Sequence, residues 1–282
     1  MNILLEDVYT HTSDCPLVFL DTRVLMHKLL KYYSDVHMKV DKAMLSNWAK
    51  ASWSLLINDP LPYLPTPKDG YRLIMGDDYK YATSKYWRNE YYEPYKANRS
   101  ADSDRPMSHN WIIEQLHEYL AESNISLIKS EGYECDDIAG GFARLKQESN
   151  RALFLVTVDS DWLQLVDNSK SILFANVLYH TPRLRSEAEA LAWAFGKGMS
   201  TISHVSEIAK YKQMYGDCAD NIAPGEAPLG IISLLEPTIG LPDDIMKEIQ
   251  EQLQNKCSNT NIKHVESSTN WLTANNLPII GR

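Results

Sequence analysis

Acidic residues close apolar runs at intervals along this chain. Asp21 ends Leu17-Val18-Phe19-Leu20, and Asp77 follows Leu73-Ile74-Met75-Gly76. Glu134, Asp136 and Asp137 form one cluster, Asp159 and Asp161 follow the run 153–158, and Asp217 and Asp220 make the last pair. In a parallel α/β sheet the C-terminal strand ends open into one crevice, so carboxylates at those ends converge. Gathered carboxylates repel one another, divalent cations relieve that repulsion, and an all-oxygen site suits Mg²⁺ or Mn²⁺. Two such ions about 4 Å apart are the usual machinery for displacement at a phosphodiester. Each motif also has a plainer reading. Acids at a helix start complement the helix dipole, and Asp159-Ser160-Asp161 suits an Asx turn. Five such sites in register with strand ends are hard to account for as five separate caps.

The elements that would position these acids can be read from periodicity. Residues 17–20, 71–75, 126–129, 153–158 and 171–174 read as short strands. Residues 24–33, 43–57, 111–121 and 136–148 read as helices, with 162–166 a short one. Apolar strands alternating with helices predict an α/β fold with a mostly parallel central sheet. The Pro-rich segment 59–67 is a loop. Residues 78–110 are polar, aromatic and basic without a strand pattern, too long for an idle loop. Beyond residue 176 the pattern turns helical (186–194, 205–215, 241–254), with a turn-rich stretch at 216–230. The last residues, 256–282, show no clear periodicity. A boundary near 180 divides a catalytic domain, 1–180, from a helical region, 181–282.

A chain of 282 residues can bury a sizeable core. No apolar run approaches the roughly 20 residues that span a bilayer. The first residues lack the basic start and apolar stretch of a signal peptide. Cys15, Cys135, Cys218 and Cys257 are far apart and form no CxxC pair, which argues against a zinc site or disulfide framework and for a reducing, cytoplasmic setting. The net charge of −9 argues against a generic nucleic-acid coat protein. Nine of the acids would face cations, and without them the remainder is about neutral.

Six motifs occur in a fixed order: Phe19-Leu20-Asp21, Met75-Gly76-Asp77, Tyr95-Lys96-Ala97-Asn98-Arg99, the run from Glu131 to Asp137, the run from Thr157 to Trp162, and the run from Tyr215 to Ile222. Each alone is weak. Together they resemble the 5′-nuclease superfamily, the PIN-like flap endonucleases and 5′–3′ exonucleases of phages and bacterial polymerases, and most of all its phage members. The resemblance covers residues 17–232. It implies that Asp21, Asp77, Glu134 and Asp136 hold a first metal and Asp159, Asp161 and Asp217 a second, with Asp137 and Asp220 joining through water. Two Mg²⁺ ions, for which Mn²⁺ substitutes, would activate water and neutralise the scissile phosphate. Residues 78–110 would form a helical arch in which Lys96 and Arg99 stabilise developing phosphorane charge. Arg88, in Tyr86-Trp87-Arg88, resembles the family's aromatic–arginine pair at a longer spacing from Asp77. The arm's other cations (Lys80, Lys85 and Arg105) would grip phosphate, and its tyrosines would stack on unpaired bases.

The resemblance also implies a C-terminal helix–three-turn–helix that holds duplex backbone. Gly225 and Gly230 keep that pattern, and amides at glycine turns can approach phosphate. Pro228 and Leu229 break it, and no lysine or arginine follows. The duplex grip is therefore expected to be weaker or to come from elsewhere, with Lys210 and Lys212 as candidates. Expected substrates are DNA with 5′ ends, flaps or branches, and RNA–DNA hybrids; any replication polymerase would act in trans. The competing readings are a catalytically silent nucleic-acid binder, a small PIN-type ribonuclease and a phosphatase. The full acid set argues against the first, the arm and the Gly-Asp-x-x-Asp-Asn segment against the second, and the arm against the third.

Overall fold

Strand β1 (Leu17–Asp21) lies in the middle of a sheet, paired in parallel with β2 (Arg72–Gly76) on one side and β4 (Leu153–Thr157) on the other. The computed structural model describes residues 15–58, 71–78, 85–98, 107–123, 125–146, 149, 151–176, 184–255 and 263–280. Among them the sheet order is β3-β2-β1-β4-β5-β6, with β3 (Ser126–Ile128) and β5 (Ile172–Asn176) also parallel and the two-residue β6 (Leu184–Arg185) antiparallel to β5. The chain builds outward from β1 to β2 and β3, then returns to β4 and β5. The order therefore reverses between β1 and β4, and a crevice forms where a sheet switches direction.

The helices among the described residues are α1 (Thr22–His37), α2 (Lys42–Asn58), α3 (Trp87–Tyr91), α4 (Met107–Ser123), α5 (Cys135–Leu145), α6 (Glu187–Gly196), α7 (Ile208–Tyr215), α8 (Leu229–Ile232), α9 (Asp243–Gln254) and α10 (Lys263–Ala274). Every residue of β1 and β4 is buried, because helices cover both faces of the sheet. Alternation along β1 assigns the faces. Val18 and Leu20 pack with residues of α1, α2, α4 and α10, whereas Leu17 and Phe19 pack with α5, α6 and α9. On the second face Trp162 is fully buried and stacks on Phe19 at 5.5 Å, and Phe19 meets Phe142 at 4.9 Å. A smaller third cluster joins Trp87, Tyr92 and Tyr95 to Ala209, Ile222 and Ile231.

The expected α/β fold with its mostly parallel sheet is observed. Two elements were not foreseen. Strand β6 is too short for alternation to show. Helix α10 lies in a polar stretch, where Leu272 is buried against the first face. Residues 205–215 divide into a 3₁₀ turn, Val205–Glu207, and then α7. Packing continues across residue 180: Leu241, Ile245 and Ile249 bury against Phe142 of α5. Cys15 is disulfide-bonded, against the expectation of no disulfide, and its partner lies outside the described residues; Cys135 and Cys218 are free. No described helix is long and apolar enough to cross a membrane.

Candidate metal centre

At the crevice, acids at or just after the strand ends cap the elements that follow. Asp21 ends β1 and caps α1, its Oδ1 accepting from the Arg23 amide at 2.9 Å while Thr157 donates to Oδ2 at 2.8 Å. Asp159 follows β4 and caps the 3₁₀ helix Ser160–Leu165 by accepting from the Asp161 amide at 2.8 Å. Glu134 caps α5, which begins beside the end of β2. A Cβ on Gly76 would come within 2.4 Å of the Phe19 ring and 2.6 Å of the Cys135 Sγ, so the close approach of α5 to the sheet requires glycine. The capping readings are therefore correct, and the acids still converge, because the caps sit at the crevice.

Asp159 acts electrostatically on both Asp21 and Asp136, and the three make a looser first group. None of the three has a lysine or arginine within ion-pair distance among the described residues. Asp136 accepts from the Trp162 indole at 2.6 Å. Burial, and then the neighbouring Asp78, push Asp21 up to about 7. Burial and Asp161 push Asp159 up to about 6, and burial and Asp159 hold Asp136 well above the carboxylate range. Such oxygens repel each other as anions and suit a hard divalent cation.

Asp161, Asp217 and Asp220 form a second group, with carboxylate oxygens that all lie within 4.8 Å of one another. This group contains its own cation. Lys212, on α7, places Nζ between Asp161 and Asp217. Burial works against the Lys212 charge, but the two carboxylates raise its pKa overall. Burial likewise opposes the Asp217 charge, and Lys212 more than offsets it, holding Asp217 below its usual value. The loop carrying Asp217 is tightly specified. Asp217 and Ile222 exchange two backbone hydrogen bonds of 2.8 Å, and Gly216 has φ +83°, where a Cβ would meet the Ile222 carbonyl at 2.8 Å.

Between the two groups lies a buried set of ion pairs. Arg88 is 2% exposed and donates to Glu134 at 2.9 Å and to both oxygens of Asp137 at 2.6 and 2.9 Å. Its Nε donates to the Ile231 carbonyl at 2.9 Å. Asp137 also accepts from the Glu134 amide at 2.9 Å and the Trp87 indole at 3.2 Å. On the cleft side Glu134 accepts from the Tyr95 hydroxyl at 2.7 Å and from Lys96 Nζ. Burial pushes Glu134 up, but Lys96 and Arg88 outweigh it and bring it to about 2.

Lys96 lies 3.7 Å from Asp220 and has φ +53°, a left-handed backbone for a side-chain-bearing residue. Such a conformation costs of order 1–3 kcal/mol and is held only by its surroundings. Here the Lys96 amide donates to the Asp220 carbonyl at 2.8 Å, Asn98 to the Cys218 carbonyl at 2.9 Å, and Asn221 to the Pro94 carbonyl at 2.8 Å. The Tyr95–Asn98 turn is thus stitched to the loop that carries Asp217 and Asp220.

Several expectations are corrected by this arrangement. Arg88 is 2% exposed, faces Asp137 and Glu134 beneath the cleft and spends four of its five N–H donors there and on the Ile231 carbonyl. Asp137 is consumed by Arg88 and by capping. Asp220 joins Asp161 and Asp217 directly, and Asp159 lines the same cleft as all three while also acting on Asp21 and Asp136. Asp77 accepts from Thr22 at 2.7 Å and Arg23 at 3.0 Å. Tyr86, Trp87, Tyr92 and Tyr95 are buried and pack on the core, so of the described arm aromatics only Tyr91 is exposed. The Gly225 amide donates to the Gln213 carbonyl at 2.7 Å and is not free for phosphate. Arg99, Lys80, Arg105, Tyr79 and Tyr81 lie outside the described residues.

Sequence reasoning passed over Asp78, which accepts from the Cys135 amide at 2.8 Å and whose pKa is raised mainly by burial. The Asp77-Asp78 doublet was its signal. It also took Lys212 as a candidate for duplex grip, although its spacing of five residues from Asp217 puts it against that carboxylate.

Residues 61–196 match the family model of the 5′-3′ exonuclease N-terminal resolvase-like domain. The chain is similar to a DNA polymerase I of Caldicellulosiruptor bescii, 28% identical over 217 residues, 70% of this chain and 23% of that protein. It is similar to a 5′-3′ exonuclease of Mycoplasma pneumoniae, 26% identical over 175 residues, 59% of this chain and 57% of that one. The chain thus spans less than two thirds of either relative. Among solved structures, a T5 5′-exonuclease with zinc ions bound superposes with a TM-score of 0.50 at 19% identity, over 92% of this chain and 87% of that one.

Proposed function

We infer that this chain, which carries the resolvase-like domain of the 5′-3′ exonucleases, is a divalent-metal-dependent 5′-nuclease that cleaves phosphodiesters at or near the 5′ ends of DNA. The observation that carries this reading is the group Asp21, Asp136 and Asp159: one buried and two half-buried carboxylates at the switch point of the sheet, with no lysine or arginine within ion-pair distance among the described residues. Evolution rarely leaves uncompensated buried charge in place without a use for it.

The donor set fits Mg²⁺ or Mn²⁺, hard ions that prefer oxygen ligands. Asp21, Asp136 and Asp159 would hold one ion, with Asp77, Asp78 and Glu134 at its edge. Asp161, Asp217 and Asp220 would hold the other. When bound, such a pair supplies an activated water and neutralises charge on the scissile phosphate. The chain's own residues do the remaining work. Lys96, fixed by its strained turn and by Glu134, presents an ammonium at the border of the two groups, where charge develops on phosphate. Arg88 positions Glu134 from behind, so it is a positioning residue. Arg99, next in the motif, is a second phosphate contact on the resemblance alone.

Flap and branched DNA, RNA–DNA hybrids, and a polymerase acting in trans are the proposed substrates and partner. Cleavage of a 5′-labelled flap duplex and a blunt duplex, with Mg²⁺, Mn²⁺ or chelator and beside Asp159→Asn, tests the reading. Metal-dependent cleavage near the 5′ junction that is lost in the variant supports it. Retained binding without cleavage favours the silent binder instead.

A further inference from the structure

Helix α7 delivers Asp217 to the second acid group, and its outer surface is unusual. Met214 and Tyr215 are 60% and 53% exposed, two large apolar side chains in water directly before Gly216. A single exposed apolar residue needs no explanation. Here, however, the Tyr215 ring lies 4.5 Å from that of Tyr211, its neighbour one turn back on the same helix face. The Tyr211 hydroxyl donates to the Gly198 carbonyl at 3.0 Å, which fixes the ring. Tyr211 also lines the same cleft, of about 330 Å³, as Asp159, Asp161, Asp217 and Asp220. Tyr211 therefore forms part of the wall of the candidate metal centre, with the exposed Tyr215 ring packed beside it.

Positive charge on this wall is sparse: Lys197 is the exposed cation that lines the cleft. Lys212 is turned inward to Asp161 and Asp217, leaving Lys210 as the exposed cation of α7. From Gln213 to Met246 there is no lysine or arginine, while that stretch holds six acids. A polynucleotide that leaves the carboxylates over the α7 face meets the Tyr211 and Tyr215 rings, with Lys197 and Lys210 as the exposed cations beside them.

We propose that Tyr215, backed by Tyr211 and flanked by Met214, is a stacking platform for an unpaired nucleobase next to the phosphate held at the acid groups. The proposal rests on the nuclease reading. It assigns grip on this side to base stacking, which tolerates any sequence because every base has a π face.

The test is binding of a duplex with a single-stranded thymidine 5′ tail carrying one 2-aminopurine, with Ca²⁺ in place of Mg²⁺. Cleavage by the wild-type protein is measured in parallel with Mg²⁺. Tyr215→Ala is expected to weaken binding of the tailed duplex roughly tenfold and to relieve the quenching of 2-aminopurine. Tyr215→Trp is expected to keep both. The slope of log Kd on log salt stays unchanged in Tyr215→Ala, because no counterion is released, whereas Lys210→Ala reduces it by about one unit. Unchanged affinity and quenching in Tyr215→Ala, with a wild type that binds and cleaves, overturns the platform and leaves the nuclease intact. A wild type that neither binds nor cleaves overturns both.

Discussion

The two acid groups of the crevice solve the same electrostatic problem in opposite ways. Asp161 and Asp217 enclose Lys212, and Glu134 lies between Arg88 and Lys96, so these carboxylates are ion-paired in the protein alone. Asp21, Asp136 and Asp159 accept hydrogen bonds but have no ion pair among the described residues, and Lys96 and Lys212 act on Asp136 and Asp159 only from a distance. The first arrangement is already compensated without a metal, so breaking its pairs is expected to cost stability. The second is the set proposed to depend on an ion, so breaking it is expected to cost activity. The difference teaches that a conspicuous acid cluster need not be uniform in purpose: the residues to watch are the acids that the fold leaves unpaired.

The largest effect is expected where the pairing is most buried. Arg88→Met leaves Asp137 and Glu134 without their shared partner, and losing one side of a buried ion pair costs about 3–5 kcal/mol. For a chain of this size that lowers Tm on the order of 10 °C. Arg88→Lys should recover little of it, because an ammonium cannot reproduce the fork that meets both Asp137 oxygens. A thermal shift under 2 °C for Arg88→Met would mean that the buried set is not a stabilising strut.

Next comes the unpaired group. Asp136→Asn keeps an oxygen for the Trp162 indole and removes only charge. It should reduce cleavage by about two to three orders of magnitude, as loss of one preorganised electrostatic group does in other active sites. Its metal-free Tm at pH 7.5 should rise, since a repelling anion is gone. A loss of both activity and metal-free stability would place Asp136 among the structural acids instead.

Lys212→Met probes the paired group with a smaller expected change, about 2 kcal/mol after allowance for partial exposure. Removing the resident cation leaves three close carboxylates, so millimolar Mg²⁺ should restore more Tm in the variant than in the wild type. If Mg²⁺ stabilises both proteins equally, Lys212 is not standing where a cation would.

How far the sequence foretold this follows from the same contrast. Asp21 and Asp159 were legible because each follows a buried apolar run, and such a run predicts both the strand and the position of its end. The parallel sheet was legible for the same reason. The partners were not. Arg88 reads identically in a motif whether it faces phosphate or Asp137, and only the packing of α3 under α5 decides it. Tyr86, Trp87, Tyr92 and Tyr95 looked like a base-stacking surface because aromatic composition carries no record of burial. Lys212 looked like a lysine free to grip duplex because its carboxylate partner Asp161 is 51 residues away.

The last contrast separates the two groups without mutation. In the unpaired group the folded pKa values are raised, Asp21 to about 7 and Asp159 to about 6. The folded protein then binds more protons than the unfolded chain between about pH 4 and 7, so stability falls as pH rises through that window. The slope is about 1.4 kcal/mol per pH unit for each proton released. In the paired group the shifts run the other way: Glu134 is brought to about 2 and Asp217 is lowered. That stability is present above the ordinary carboxylate pKa and is lost only as pH falls below it. In chelator, Tm should therefore peak between about pH 4 and 5 and decline toward pH 7.5. Saturating Mg²⁺ should remove the decline, because bound cations hold Asp21 and Asp159 ionised at every pH of the window. A flat Tm from pH 5 to 7.5 in chelator would show that the first group is already neutralised in the protein alone, and the contrast between the two groups would not stand.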